Sequence, residues 1–122
     1  MGSYIYILGT IIFTVYGQII IKWRMQFYKN LPSDSVEKVF FLLKLLLDPF
    51  ILSGFIAAFV ASLFWMVAMT RFEISYAYPF TSLSFVLVFI ISIFLFSETI
   101  SLGKIVGLLL IVAGVIVTSK SV

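Results

Sequence analysis

Apolar residues fill four long runs of this chain, and the charged residues stand between the runs or at their ends. A helix needs about 20 apolar residues to cross the hydrocarbon core of a membrane. Each run therefore predicts a membrane-spanning helix. The fourth run is the shortest, but Lys104 and Lys120 at its ends can extend to the two membrane surfaces. The predicted spans cover residues 4–22, 49–70, 75–97 and 103–119.

The one long connection follows the first span. Residues 30–33, Asn-Leu-Pro-Ser, predict a turn. Asp34 is then a candidate helix cap, and Glu37 three residues later gives a variant of the capping box. A helix over 35–47 is too short to span, so we expect it to lie along the membrane interface. Extension of the second span at an angle is the alternative.

Prolines mark the starts of the second and third spans. Asp48 suits a helix N-cap, and Pro49 suits the first helical position. Ser75 is the predicted N-cap of the third span. Pro79 lies in the first turns of that span and cannot donate a backbone hydrogen bond, which predicts an irregular start. Irregular backbone at membrane depth is tolerated where it lines a cavity.

Polar residues recur at every fourth position of the first run, at Thr10, Thr14, Gln18 and Lys22. On a helix this spacing stacks them on one face. We call this set the polar ladder. A polar face on a membrane helix is expected to meet a partner helix or a wet cavity rather than lipid. The ladder and the nearby Arg24 therefore predict a path for a polar or anionic cargo.

The composition supports a membrane protein and argues against an enzyme. Hydrophobic residues make up 63% of the chain and charged residues 11%, whereas soluble domains have roughly 25% charged residues. The net charge of +3 belongs to residues that flank apolar runs, so no nucleic-acid partner is predicted. Without histidine or cysteine, and with every acidic residue in a connection, no catalytic, metal or cofactor site is predicted. The first run lacks a charged leader segment and is interpreted as structure rather than signal peptide.

Five segments, in order, resemble the four-helix members of the drug/metabolite transporter superfamily. They are YIYILGTIIFTVYGQIIIK, SLFWMVAM, SYAYPFTSLSFV, a glutamate that closes the third span, and GLLLIVAGVIV. The order is similar to that of the small multidrug resistance proteins, and most similar to the flippase subunits for aminoarabinose-phosphoundecaprenol. The matching pieces are Gly17-Gln18 with Lys22, Ala77-Tyr78-Pro79, Ser82-Leu83 and Phe85-Val86.

Two departures from the multidrug pattern bear on function. Those exporters carry a membrane-embedded glutamate in the first helix, and Thr14 stands at the matching position here. Threonine does not titrate at physiological pH, so proton-coupled export of cations is not expected. The glycine hinge of the third helix is replaced by Leu83-Ser84-Phe85. The resemblance instead implies translocation of a polyprenyl-phosphate-linked sugar across the bacterial cytoplasmic (inner) membrane.

The basic residues after the first span are candidates for the phosphate of such a cargo. Lys22 offers a point charge and Arg24 a bidentate fork. The alternative is that both meet anionic lipid headgroups. Thr14 and Gln18 are candidates for hydrogen bonds to sugar or phosphate, and hydrogen bonding between helices is their alternative.

The third span begins with further polar side chains. Tyr78 and Ser82 lie four residues apart and share a helix face, so they are candidates for the sugar end of the path with Tyr76. Anchoring in the interfacial aromatic belt is the alternative for Tyr76. Trp65 is a candidate to flank a sugar face or the polyprenyl chain, and packing against lipid is its alternative.

Small residues mark one face of the fourth span. Gly103 and Gly107 form a GxxxG pair, and Gly114 follows seven residues later. Such a face allows close approach of another helix, so we expect a homodimer or a heterodimer with a similar four-helix subunit. Packing against the second or third span is the alternative.

The basic residues also predict the topology. Six lie on the side that holds the first and third connections, and two lie on the other side. The positive-inside rule then places both termini outside. The six are Lys22, Arg24, Lys29, Lys38, Lys44 and Lys104, and the two are Arg71 and Lys120.

Two other functions stay open at this point. One is export of small molecules or metabolites in the manner of the small multidrug resistance proteins. The other is a non-transporting role, in which the bundle positions a membrane glycosyltransferase. The absence of any acid within the spans favours anionic cargo over cationic cargo.

Overall fold

The computed structural model describes residues 2–28 and 31–120, and this part of the chain contains helices and no strand. Lys29, which belongs to the topology count, and Asn30, which begins the predicted turn, lie outside the described residues. The helices are α1 (Tyr4–Met25), α2 (Ser35–Leu45), α3 (Pro49–Met69), α4 (Ile74–Thr81), α5 (Leu83–Phe96) and α6 (Leu102–Ser119).

Four segments are long and apolar enough to cross a membrane: α1, α3, the joined α4 and α5, and α6. The predicted class is confirmed: the chain is an all-α, multi-pass membrane protein with four membrane-spanning helices and a shorter helix, α2. Its helices begin and end within three residues of the limits expected from the sequence. Charge-free runs set those limits because charged side chains are costly at membrane depth.

Aspartates cap two of the helices, as predicted. The Asp34 carboxylate accepts a hydrogen bond from the Val36 backbone N–H at the start of α2. The Asp48 carboxylate accepts from the backbone N–H groups of Phe50 and Ile51 at the start of α3. Each bond satisfies a donor that has no partner within its own helix.

The prediction that Ser75 caps the third span was wrong. Helix α4 begins at Ile74, and Glu73 is the extended residue before it. The first turn closes when the Ala77 N–H donates to the Glu73 carbonyl at 2.9 Å. Ser75 therefore lies inside the first turn of α4 and does not occupy the N-cap position.

The third span is interrupted at Ser82, which separates α4 from α5. Pro79 has no backbone N–H to donate to the carbonyl of Ser75, four residues earlier. At the break itself, two hydroxyls bond to backbone carbonyls: Ser82 Oγ donates to the Pro79 carbonyl, and Thr81 Oγ1 donates to the Tyr78 carbonyl at 2.6 Å. The irregular start expected from Pro79 is present.

Helix α1 is the centre of the bundle. It packs along α3 and also contacts α4 and α5. Its residues Ile7, Ile11 and Val15 form a buried core with Ala68 and Ala77. In the apolar window of α1, 33% of residues are buried, against 6% for α6. The polar ladder thus runs along the most enclosed helix of the chain.

Candidate functional site

A cleft of about 300 Å³ runs between α1 and α3. Three members of the polar ladder, Thr10, Thr14 and Gln18, line it from α1. Trp65 and Ser62 line it from α3. The remaining lining residues are Gly17, Ile21, Gly54, Phe55, Ala58 and Ala61. The structure therefore directs most of the ladder into a concave surface between two membrane helices.

Thr10 serves helix packing within this cleft. Its side chain is buried, and Oγ1 donates to the Tyr6 carbonyl at 2.8 Å and to the Ala61 carbonyl of α3 at 3.4 Å. The single hydroxyl proton is thereby shared between a short bond within α1 and a longer one to α3. The longer bond is of the interhelical kind that polar residues in membrane helices often make.

Thr14 and Gln18 differ from Thr10 in this respect. Within the described part of the chain, neither side chain has a hydrogen-bond partner. Thr14 is half-buried and Gln18 is exposed. One hydroxyl and one amide therefore remain available in the cleft, and together they offer both donors and acceptors to a ligand or to water.

Lys22 lies one helical turn beyond Gln18 on the same helix. Its side chain is exposed, and it is not among the residues that line the cleft. In residues 2–28 and 31–120 it forms no ion pair. Lys22 therefore stands at the end of the ladder, with its charge available near the cleft.

Arg24 is engaged by an acidic residue from the next span. Its Nε donates to Asp48 Oδ2 at 2.7 Å, and the Tyr28 hydroxyl donates to the same oxygen at 2.8 Å. The Asp48 side chain is only 6% exposed. The last turn of α1 is thus joined to the residue that caps α3.

Several groups act on the Asp48 carboxylate. Its removal from water raises the pKa of Asp48, but the hydrogen bonds from Arg24 and Tyr28 and from the backbone of Phe50 and Ile51 outweigh this. The net effect lowers the pKa of Asp48 from 3.8 to about 2. The carboxylate therefore remains charged, and it neutralises Arg24.

Aromatic rings surround the Arg24 guanidinium. Four ring centroids lie between 5.0 and 5.9 Å from its Cζ atom, and they belong to Trp23, Phe27, Tyr28 and Phe50. Guanidinium groups are attracted to the faces of such rings at this range. The position of Arg24 is therefore set by Asp48 and by its aromatic neighbours.

The other predicted site residues fall in different places. Trp65 lines the cleft, and its ring lies 6.0 Å from that of the exposed Tyr78, edge to face, so Tyr78 stands beside the cleft. Ser82 bonds to the Pro79 carbonyl and does not line the cleft. Tyr76 lines a second cavity, where its hydroxyl lies 2.8 Å from that of Tyr4.

Apart from Trp65, the residues that line the cleft from α3 were not predicted from the sequence. Gly54, Ala58 and Ser62 recur at every fourth position and all line it. This spacing of small residues on one helix face was a detectable signal, because such faces allow another helix to approach. Its partner on α1 is Gly17, where an added Cβ would lie 2.9 Å from the Gly54 carbonyl oxygen.

The glycine face of α6 is open in this single chain. An added Cβ at Gly103, Gly107 or Gly114 would meet nothing within 4 Å. Among the described residues, this face therefore makes no close contact with α3 or with the α4–α5 segment.

Comparisons with a family model and with individual proteins both indicate a family of membrane transporters. The sequence model of the EamA-like transporter family matches residues 1–120. A probable 4-amino-4-deoxy-L-arabinose-phosphoundecaprenol flippase subunit ArnE of Pseudomonas aeruginosa is 30% identical, over 94% of this chain and 95% of its own length. A probable subunit ArnF of the same flippase in Erwinia tasmaniensis is 31% identical, over 92% of this chain and 90% of its own. No solved structure matches the chain.

Proposed function

We propose that this chain, which belongs to the EamA-like transporter family, translocates a polyprenyl-phosphate-linked sugar across the bacterial cytoplasmic membrane. The observation that carries the proposal is the cleft between α1 and α3, in which Thr14 and Gln18 have unused hydrogen-bonding groups. The relatives named as flippase subunits cover nearly the whole chain and support the same class of cargo.

The size of the cleft suits a headgroup rather than a whole lipid. Sites for small molecules start at about 300 Å³, which is the volume of this cleft. A polyprenyl tail is apolar and can stay in the bilayer while the sugar and phosphate cross. Only the polar headgroup then needs a path, and burying it without hydrogen bonds would be costly.

The ladder residues have separate roles in this proposal. Thr14 and Gln18 replace water around the sugar and phosphate as the headgroup crosses. Lys22 makes the first contact with the phosphate, since no acidic side chain of the described residues neutralises it. Arg24, whose charge Asp48 neutralises and whose position Asp48 holds, offers the phosphate its remaining N–H donors at the same end.

Aromatic residues form the wall for the sugar ring. Trp65 lies in the cleft and Tyr78 packs against it, so the two rings offer an apolar surface with a phenol hydroxyl beside it. Ser82 supports this wall indirectly, because its bond to Pro79 shapes the junction between α4 and α5. Tyr76 is not part of this wall, because it lines the second cavity at the far end of the bundle.

We further propose that the working unit is a dimer. The open glycine face of α6, Gly103, Gly107 and Gly114, is the contact, and a similar four-helix subunit is the partner. The two kinds of relative, ArnE and ArnF, are named as subunits of one flippase, which is consistent with pairing. The distribution of basic residues supports a topology in which both termini face outward and α2 lies along the inner membrane surface.

A vesicle assay tests the function. The purified protein, with its partner subunit where one is required, is reconstituted with a fluorescent polyprenyl-phosphate-linked sugar, and label reachable from outside is measured over time. We expect translocation in protein-containing vesicles and none in empty ones. Equal rates in both would contradict the proposal.

A further inference from the structure

A second cavity opens at the opposite end of the bundle from Lys22. Its volume is about 630 Å³, and it lies where α1 begins and where the chain turns from α3 to α4. Tyr4, Arg71, Phe72, Glu73 and Tyr76 line it. A single short stretch thus brings two opposite charges to one cavity with three aromatic rings.

The charge of Arg71 is positioned but not neutralised. Nη1 donates to Ser3 Oγ at 3.3 Å, and Cζ lies 5.4 Å from the Tyr6 ring centroid. Across residues 2–28 and 31–120, Arg24–Asp48 is the sole ion pair. A guanidinium held by neutral groups keeps its fork of donors available to a phosphate.

Glu73 is also without a partner. It precedes α4, yet its side chain makes no capping bond, and within the described residues the carboxylate has no hydrogen bond or ion pair. Arg71 and Glu73 line the same cavity without pairing to each other. Two separated, unpaired charges of opposite sign are complementary to a ligand that carries both signs.

The aromatic rings of the lining form one continuous wall of the cavity. The Phe72 ring lies 5.0 Å from the Tyr4 ring and 5.8 Å from the Tyr76 ring, between centroids, and is stacked on the latter. The Tyr4 and Tyr76 hydroxyls lie 2.8 Å apart. Such a wall offers an apolar face for a sugar ring and hydroxyls for its oxygens.

The cavity and Lys22 lie at opposite membrane surfaces. Tyr4 begins α1 and Lys22 lies in its last turn, and at about 1.5 Å per residue the helical rise between them is about 27 Å. The hydrocarbon core is about 30 Å thick. A headgroup that enters beside Lys22 and crosses the membrane would arrive at the level of this cavity.

We propose that this cavity is a second headgroup site, which binds a phosphate together with a primary ammonium group. Arg71 takes the phosphate, Glu73 takes the ammonium, and Phe72 and Tyr76 hold the sugar ring. The site rests on the proposed function, since its ligand is the cargo headgroup after crossing. The same chemistry occurs in the headgroup of phosphatidylethanolamine, so a test must separate the two sources.

Binding of soluble headgroups to the protein in phosphatidylglycerol nanodiscs tests the proposal. The probes are 4-amino-4-deoxyarabinose 1-phosphate, arabinose 1-phosphate and phosphoethanolamine, measured by calorimetry. We expect the amino sugar phosphate to bind about fivefold more tightly than arabinose 1-phosphate, as for one partly exposed charge pair. Glu73→Gln should remove this preference, and Arg71→Gln should weaken the binding of both sugar phosphates. Glu37→Gln, which is remote in α2, is the control and should leave all the affinities unchanged.

The preference for the amino group should survive Lys22→Gln, because Lys22 belongs to the other end. No preference in the wild type, or an equal preference in Glu73→Gln, would overturn the site. Phosphoethanolamine binding as tightly as the amino sugar phosphate would overturn its link to the cargo. These outcomes are independent of the vesicle assay, which can fail or succeed while the ammonium preference is present.

Discussion

The backbones of Gly17 and Gly54 approach so closely that a methyl group on Gly17 would lie 2.9 Å from the Gly54 carbonyl oxygen. Both residues line the cleft, so their contact forms part of its floor. On the other side of the contact, a methyl group on Gly54 would lie 2.8 Å from a carbon of Ile21. The shape of the cleft therefore depends on glycine at both positions.

Gly17→Ala should lower the stability of the protein. The new methyl meets a backbone oxygen, which cannot rotate away, so α1 and α3 must separate. Overpacking of this kind typically costs about 1–3 kcal/mol, and the loss is measured as denaturant-induced unfolding in detergent micelles. Gly2→Ala is the control, since its methyl meets nothing within 4 Å and Gly2 lies outside the α6 face proposed as the dimer contact. Equal stability of the two variants would contradict the packing described here.

Asp48→Asn should destabilise the protein in a pH-dependent way. The folded state lowers the pKa of Asp48 to about 2, so its stabilising effect is fully present above the unfolded value near 4 and is lost as the pH falls through 2. Thermal unfolding of wild type and variant should differ near neutral pH and converge toward pH ~2. Asp34→Asn, which alters only the cap of α2, is the comparison. A difference that stays constant with pH would contradict the role of the ion pair.

Gly107→Ile should weaken association without unfolding the subunit. The glycine face of α6 is open in the single chain, where a Cβ added at Gly107 meets nothing within 4 Å, and a larger side chain on this face keeps a partner helix away. Subunit association in micelles is measured by energy transfer between labelled copies, of this chain alone or with its partner subunit. Leu109→Ile, an exposed position on the opposite face of α6, should leave association unchanged. Undiminished association of Gly107→Ile would place the contact elsewhere.

Much of the fold was predictable because membrane helices follow simple rules. The lengths of the charge-free runs predicted the four spans. A spacing of four residues predicted that Thr14 and Gln18 share a helix face, and in the structure both line one cleft. The same period could not distinguish these two from Thr10, which bonds to Ala61 of α3 instead. That difference depends on which α3 carbonyl lies opposite each ladder position, and the α1 sequence alone does not contain this.

Contacts between residues far apart in the chain were the ones that escaped prediction. Asp48 was expected to cap α3, and it does so, but its ion pair with Arg24 depends on how the long connection returns to the bundle. Tyr76 was grouped with Tyr78 by sequence proximity. The structure separates them, because Tyr76 turns toward Tyr4 while Tyr78 packs against Trp65.

Cysteine accessibility tests the central claim, that Thr14 and Gln18 face a water-filled path for a polar headgroup. The chain has no cysteine, so single replacements report without background. In lipid vesicles, Thr14→Cys and Gln18→Cys should react with a small, water-soluble thiol reagent, and cargo lipid should slow both reactions. Ile12→Cys, at similar depth on another face of α1, is the control and should stay unreactive. Reaction at residues 14 and 18 no faster than at residue 12, with or without cargo, would contradict the account.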